Sequence, residues 1–472
     1  MQTSSHNDII MLPHKINIEE DVCVGTLYQN ARTIKRLKEH FQPYINLLTQ
    51  PSGTKFFLIL LSMLSMQFVT SIRNIYRWFL SGINGASLNS YYYLLTYTEL
   101  PLEAFFRKTI KIALSLIPEE LNGLPIFLII DDTLQAKYGT HFECYQTMFD
   151  HAKHNNTNYL KGHCFVALTI SVPIILEGCI RYLNIPVGFR LRSKDENKLE
   201  IASKMLDNAM SILGNYPMTI LLCDSWYPKG AVRKTVMRHK NLNLIASVRI
   251  DTSIFELPPP RTGKRGAPRK KGEAIDFYTD LNFIRIGDYY IAVKQVMTNL
   301  FEGPVYLTVT TPDLLNRKAH RLFISTLMPD AIRKQFKGYE TELSDSLVSK
   351  VPWLLPLYLY SYRWAIEVCF YELKTFWSFG LYMLRSKNGI ENFVNMLAMS
   401  YASMKILPFS DQQFSFLMNE SAQTIKNVVG DAIKQELFLW RFVSSSESYV
   451  NSKEIFDLLP ALDSPDKHSK AS

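Results

Sequence analysis

Two short apolar runs that each close on a carboxylate constrain the fold of this chain more than any other feature. LPIFLII (residues 124–130) leads into Asp131 and Asp132, and MTILLC (residues 218–223) leads into Asp224. A continuous run of Ile, Leu and Phe with no polar alternation predicts a strand buried on both faces. The carboxylates then mark the place where each strand emerges at its C-terminal end.

The pattern between and around these runs sets the rest. Residues 163–175 and 178–191 read as strands, and residues 198–213 carry Ile201, Met205, Ala209 and Ile212 on one helical stripe. A helix over residues 229 to about 239 and a strand over 242–250 follow. The order strand, strand, strand, helix, strand, helix, strand is that of an α/β chain with a ribonuclease-H-like mixed sheet flanked by helices.

This reading divides the chain into five parts. Residues 1–115 form a helical N-terminal domain, where DNA binding is expected although no DNA-binding signature is legible. Residues 116–250 are the first part of the catalytic core. Residues 251–345 are an inserted β-rich domain that opens with the loop PPPRTGKRGAPRKKG and turns a hairpin at Gly287 and Asp288. Residues 346–408 are the second part of the core, with a long amphipathic helix over 354–377. Residues 409–472 are a C-terminal helical segment and tail.

Composition bounds the function classes. Apolar residues make up 47% of the 472 and charged ones 20%, the balance of an ordered globular protein rather than a disordered tail. Six scattered cysteines with no CxxC pair argue against a disulfide framework or a four-cysteine zinc site, so a reducing cytosol is expected. MQTSSHNDII lacks the pattern of a signal peptide. The apolar stretch over 56–72 is interrupted by Ser62, Ser65, Gln67, Thr70 and Ser71 and reads as a buried helix rather than a membrane span.

The most informative segment is YSYRWAIEVCFYELK, residues 360–374. At ~100° per residue, Arg363 lies about 60° from Tyr360, Glu367 about 20° and Lys374 about 40°, all on one side. The four polar side chains form a narrow stripe with Trp364, Ile366, Val368 and Phe370 around it, which reads as a ligand-facing seam in a buried element. The ordinary alternative is an i,i+4 ion pair between Arg363 and Glu367 at the surface. Glu372, about 140° from Glu367, serves as an internal control on another face.

Tyr360-x2-Arg363-x3-Glu367-x6-Lys374 resembles, without a gap, the Tyr-Arg-Glu-Lys signature of cut-and-paste DDE transposases of bacterial insertion sequences. With 25 tyrosines and roughly 5% usage of each partner, chance gives such a match in about 0.003 of sequences. The resemblance covers about residues 120–390. It implies a ribonuclease-H-like core with an insertion ahead of the glutamate helix. It also implies Asp131, Asp224 and Glu367 as the catalytic, metal-holding carboxylates, with Thr133 after the first and Tyr227 after the second, and Asp132 as the rival first ligand.

Three carboxylates from two strand ends and one helix make a hard, oxygen-rich site of the kind Mg²⁺ prefers. Two such ions, for which Mn²⁺ substitutes, would activate a water or a 3′-hydroxyl on one side of a phosphodiester and stabilise the leaving oxygen on the other. Arg363 and Lys374 would contact phosphates near the scissile bond, as a fork and a point charge respectively. Tyr360 would hydrogen-bond a phosphate oxygen or simply pack. The loop residues Arg261, Lys264, Arg265, Arg269, Lys270 and Lys271 contribute +6 of the net +9, and in an insertion beside the site they read as contacts to the DNA backbone.

His141, Cys144, His151 and His154 suggest zinc, but their spacing fits no standard finger and the region reads as a polar turn. There is no GxxxxGK[ST] or GxGxxG phosphate loop. The resemblance implies a cytoplasmic, nucleoid-associated transposase that acts as a dimer in a synaptic complex on double-stranded DNA, binding the terminal inverted repeats of its element and the target. The alternatives are a ribonuclease-H-like nuclease without strand transfer, or a DNA-binding protein with an inactive site.

Overall fold

The computed structural model describes residues 32–139, 141–150, 158–260, 267–336 and 351–445. It opens with five helices: α1 (Arg32–Ile45), α2 (Gln50–Ser65), α3 (Ile72–Trp78), α4 (Leu88–Thr96) and α5 (Leu102–Leu114). Of the apolar stretch over 56–72 expected as a buried helix, residues 66–71 are not helical and Phe68 is exposed, while α2 takes Phe56 through Ser65, all buried. Its serines cost little there because Ser62 Oγ donates to the Ile59 carbonyl and Ser65 Oγ to that of Ser62, satisfying the hydroxyls within the helix. Among the described residues no helix is long and apolar enough to cross a membrane.

The sheet follows in the expected order except for one extra short strand. The strands are β1 (Ile126–Ala136), β2 (Gln146–Phe149), β3 (Tyr159–Leu176) and β4 (Cys179–Leu191), of which β2 is the addition, in the region read as a polar turn. After α6 (Lys198–Leu213) come β5 (Thr219–Cys223), α7 (Gly230–Arg238) and β6 (Leu242–Val248). β3 pairs antiparallel with β1 on one side and with β2 and then β4 along the other. β5 lies parallel between β1 and β6. The spatial order β4-β3-β1-β5-β6 is the ribonuclease-H-like arrangement that the sequence predicts.

The described residues 251–260 and 267–328 are rich in strands, and these prolong the same sheet. They comprise β7 (Ile254–Phe255), β8 (Ile284–Ile286), β9 (Tyr289–Thr298), β10 (Val305–Thr311) and β11 (Arg321–Ser325). β11 runs antiparallel to β6 and joins the insertion to the core, giving an 11-stranded sheet. Gly287, at φ 57°, makes the turn between β8 and β9 that the Gly-Asp pair predicts.

The C-terminal part adds α8 (Pro329–Phe336), α9 (Leu355–Tyr360), α10 (Trp364–Phe376), α11 (Lys387–Ser410) and α12 (Ala422–Ser445). The sequence predicts one helix over 354–377, whereas a 3₁₀ turn at Ser361–Arg363 separates α9 from α10. α11 packs across β4. Asn395 accepts from the Phe189 amide at 2.8 Å and donates to its carbonyl at 2.9 Å, so a side-chain amide takes the place of a neighbouring strand at this edge. The helices of residues 32–114 share one continuous apolar core with the sheet and the C-terminal helices, running from Ile34 to Trp440.

Candidate active site

The β1–β5 register brings the two acidic strand ends together. Their parallel ladder ends with Ile130 opposite Cys223, so Asp131 and Asp224 are the next residues on two neighbouring strands, which lie about 4.8 Å apart. β1 does not end there, as the sequence predicts, but continues to Ala136 against β3. The carboxylates therefore stand where β1 runs past the end of β5.

Because β1 continues, Asp131 and Asp132 point to opposite faces of the sheet. Phe127, Ile129 and Asp131 share one face. There Phe127 stacks on Tyr362 at 5.0 Å between ring centroids, and Tyr182 of β4 closes the aromatic group at 4.7 Å from Phe127 and 4.9 Å from Tyr362. Asn184 of β4 also donates to the Ala365 carbonyl at 3.1 Å. These contacts seat the 3₁₀ turn and the start of α10 over Asp131.

Arg363 joins the two elements. Its Nη1 donates to Asp131 Oδ2 at 2.9 Å and its Nη2 to Glu367 Oε1 at 2.7 Å. The Arg363–Glu367 pair is thus more than a surface i,i+4 pair, because the same guanidinium reaches a carboxylate on the sheet. The buried Nε of Arg363 has no hydrogen-bond partner among the described residues. Asp131 is pushed up to about 7, first by burial and then by the charges of Asp224 and Asp132, with Arg363 pulling the other way. Burial also raises Asp224, against the Trp226 amide that donates to its Oδ1 at 2.9 Å.

Asp132 has a different set of partners. Lys198, the first residue of α6, and Tyr227 both donate to its Oδ1 at 2.9 Å. It is held in a polar network on the α6 face, while Asp131 faces Arg363 and Glu367.

The remaining predicted residues divide. Lys374 donates to the Leu134 carbonyl of β1, three residues beyond Asp131, at 3.1 Å. Tyr360 donates to Ser247 Oγ at 3.2 Å and packs against Phe323 at 4.9 Å between ring centroids. α10 is not the buried element that the stripe suggests: Ile366, Cys369 and Leu373 are buried, but Trp364, Val368 and Tyr371 are exposed. Glu372 accepts from Tyr401 on α11, away from the strand ends. Of the basic loop, Arg261, Lys264 and Arg265 lie outside the described residues. Arg269 and Lys270 are exposed, and Lys271 donates to Asn299.

Trp226 was not singled out by the sequence. It is 48% exposed, two residues beyond Asp224, with the ammonium groups of Lys229 and Lys198 at 4.0 and 4.9 Å from its ring centroid. The signal was an aromatic residue just past a strand-end carboxylate with a lysine at each side in space, and only one of those lysines is near in sequence.

Among the described residues no group of three or more His, Cys, Asp or Glu forms a ready metal cage. Of the residues first considered for zinc, His151 and His154 lie outside the described residues, and burial raises the Cys144 thiol to about 11. The donors at the strand ends nonetheless fit a hard divalent cation. Asp131, Asp224 and Glu367 offer only carboxylate oxygens, the donor chemistry of such an ion, and Asp131 is raised first by burial and then by the charges of Asp224 and Asp132, which a cation would offset.

Residues 48–282 match the family described as DDE superfamily endonuclease, a span that contains Asp131 and Asp224 and stops short of α10. No curated protein matches the chain.

Proposed function

The chain belongs to the DDE superfamily of endonucleases, which act on DNA with divalent metal ions, and from that premise we propose that it is a DNA transposase. It binds the terminal inverted repeats of a mobile element, cleaves phosphodiester bonds there and joins the 3′-hydroxyl ends to target DNA. A dimer brings two ends together in a synaptic complex. The observation that carries this reading is the bridge from Asp131 through Arg363 to Glu367, which sets the segment with the Tyr-Arg-Glu-Lys spacing against the acidic strand end of β1.

In this reading Asp131, Asp224 and Glu367 hold the metal. Two Mg²⁺ ions, or Mn²⁺ in their place, would supply activation of the attacking oxygen and stabilisation of the leaving one. Arg363 is the cation between Asp131 and Glu367. Its fork suits a phosphate as well as a carboxylate, so it would hold the scissile phosphate. Lys374 and the loop cations Arg261, Lys264, Arg265, Arg269, Lys270 and Lys271 neutralise flanking phosphates. Asp132 fixes Lys198 and Tyr227 behind the site and stays outside the metal set.

The test is a strand-transfer assay with Mg²⁺, using as substrate a pre-nicked duplex of the inverted repeats that flank the coding region. Joined products support the transposase. Cleavage without joining makes the chain a nuclease of the same superfamily, and binding without cleavage makes it a DNA-binding protein with an inactive site.

A further inference from the structure

The sheet edge that carries the carboxylates changes sign across two strands. β5 and β6 are parallel and β11 is antiparallel to β6, so the ends of β5 and β6 and the start of β11 share one edge. Asp224 follows β5, Arg249 follows β6, and Arg321 opens β11. Two strand spacings, about 10 Å, separate the acidic site from Arg321.

A cleft of about 470 Å³ opens at this edge. Ser225, next to Asp224, and Ser247, which accepts from Tyr360, line the side toward the site. Arg317, Lys318 and Arg321 line the far side, and no acidic side chain lines the cleft. Arg249 is already chelated by Asp251, at 3.0 and 2.8 Å. Arg317, Lys318 and Arg321 have no carboxylate partner among the described residues. The turn that carries them is braced: the Arg317 guanidinium lies 4.4 Å over the Tyr278 ring, Tyr278 Oη donates to the Arg317 carbonyl at 3.1 Å, and Asn316 caps the turn through the Lys318 amide.

A surface charge run is usually just solvated. Here Arg317, Lys318 and Arg321, close in sequence, line one concave surface that has no acidic side chain and reaches Ser225, the residue after Asp224. We propose that this cleft is a track for the sugar-phosphate backbone of the DNA strand that bears the scissile phosphate. Arg317, Lys318 and Arg321 would meet phosphates about three nucleotides away, given ~10 Å of sheet and 3.4 Å of rise per nucleotide. Contacts of this kind position the strand and carry no sequence information. The proposal rests on the DNA-cleaving reading above.

The experiment measures binding of the full chain to a fluorescein-labelled 30-base-pair duplex of mixed sequence by anisotropy, over a salt series. It compares wild type, Lys318→Gln, the triple variant Arg317→Gln/Lys318→Gln/Arg321→Gln, and Lys240→Gln, an exposed lysine at the opposite edge of the sheet. The slope of log K against log salt should become shallower by about 0.9 for Lys318→Gln and by 2 to 3 for the triple variant, with Lys240→Gln unchanged. The single variant removes one exposed, unpaired charge, so its result stands even where the triple variant folds poorly. An unchanged slope in a wild type that cleaves DNA overturns the track and leaves the function standing. A shallower slope in a protein that never cleaves leaves the cleft as a backbone-binding surface but overturns both the function and the scissile-strand track. A wild type that does not bind the duplex overturns both.

Discussion

Nη1 of Arg363 lies 2.9 Å from Oδ2 of Asp131, although 232 positions of chain separate the two residues. Both side chains are largely shielded from solvent, at 15% and 16% exposure, so the pair is held in a medium where charge matters more than at the surface. Glu367, 40% exposed, takes the other arm of the same guanidinium. One arginine therefore sets the distance between the sheet's carboxylate and the helix's.

Arg363→Ala should lower the cleavage rate on a nicked duplex about 10²- to 10³-fold, the usual cost of removing one charge-stabilising donor from an active site. Arg363→Lys should restore little of it, because one ammonium cannot reproduce a planar fork that reaches two groups. The check is single-turnover cleavage at saturating Mg²⁺, with duplex binding measured beside it. A lysine variant with wild-type rate would show that only the charge matters.

Asp131 gives a pH signature. Its folded-state value, about 7, lies above the unfolded 3.8, so the folded chain binds the proton more tightly. That contribution to stability is complete below the unfolded value and is lost as pH rises through the window from 3.8 to about 7. Asp131→Asn cannot ionise and escapes the loss. In metal-free buffer the Tm of Asp131→Asn minus that of wild type should rise between pH 5 and pH 8. A flat or falling difference in thermal melts would contradict the burial and repulsion at this carboxyl.

Much of this site was legible because the residues lie in patterns that local chemistry enforces: apolar runs that stop at carboxylates, and a stripe on a helix. What was not legible depends on partners distant in sequence. DDTLQA continues β1 because β3 is long enough to pair with it through Ala136, and nothing local says so. The 3₁₀ turn at Ser361–Arg363 contains neither Gly nor Pro; it coincides with Tyr362 wedged between Phe127 and Tyr182. Arg249, Arg317 and Arg321 meet only because β11 pairs with β6.

The opposite facing of the two neighbouring aspartates separates their roles. Asp131→Asn and Glu367→Gln should abolish cleavage. Asp132→Asn should keep measurable cleavage and lose stability by about 1–3 kcal/mol, because the amide oxygen still accepts hydrogen bonds but leaves the part-buried Lys198 ammonium without its counter-charge. Glu372→Gln, whose partner is Tyr401, should cleave at close to the wild-type rate. Cleavage assays paired with urea melts of the four variants decide this. Loss of activity in Glu372→Gln with retention in Glu367→Gln would reverse the assignment of helix faces.

The helical N-terminal layer should prove inseparable from the sheet, and Gly188 of β4 is where to test it. A Cβ at that position would overlap the ring of Phe106 on α5, so Gly188→Ala forces apart two elements that share the core. Overpacking of this kind costs about 1–3 kcal/mol. The urea midpoint should fall by the corresponding amount, in a single transition that carries helix and sheet signals together. Phe106→Leu removes part of the ring, so the double variant Phe106→Leu/Gly188→Ala should lose less than the sum of the two single variants. Strict additivity, or two separate transitions, would mean that the helices of residues 32–114 fold on their own and merely rest on the catalytic sheet.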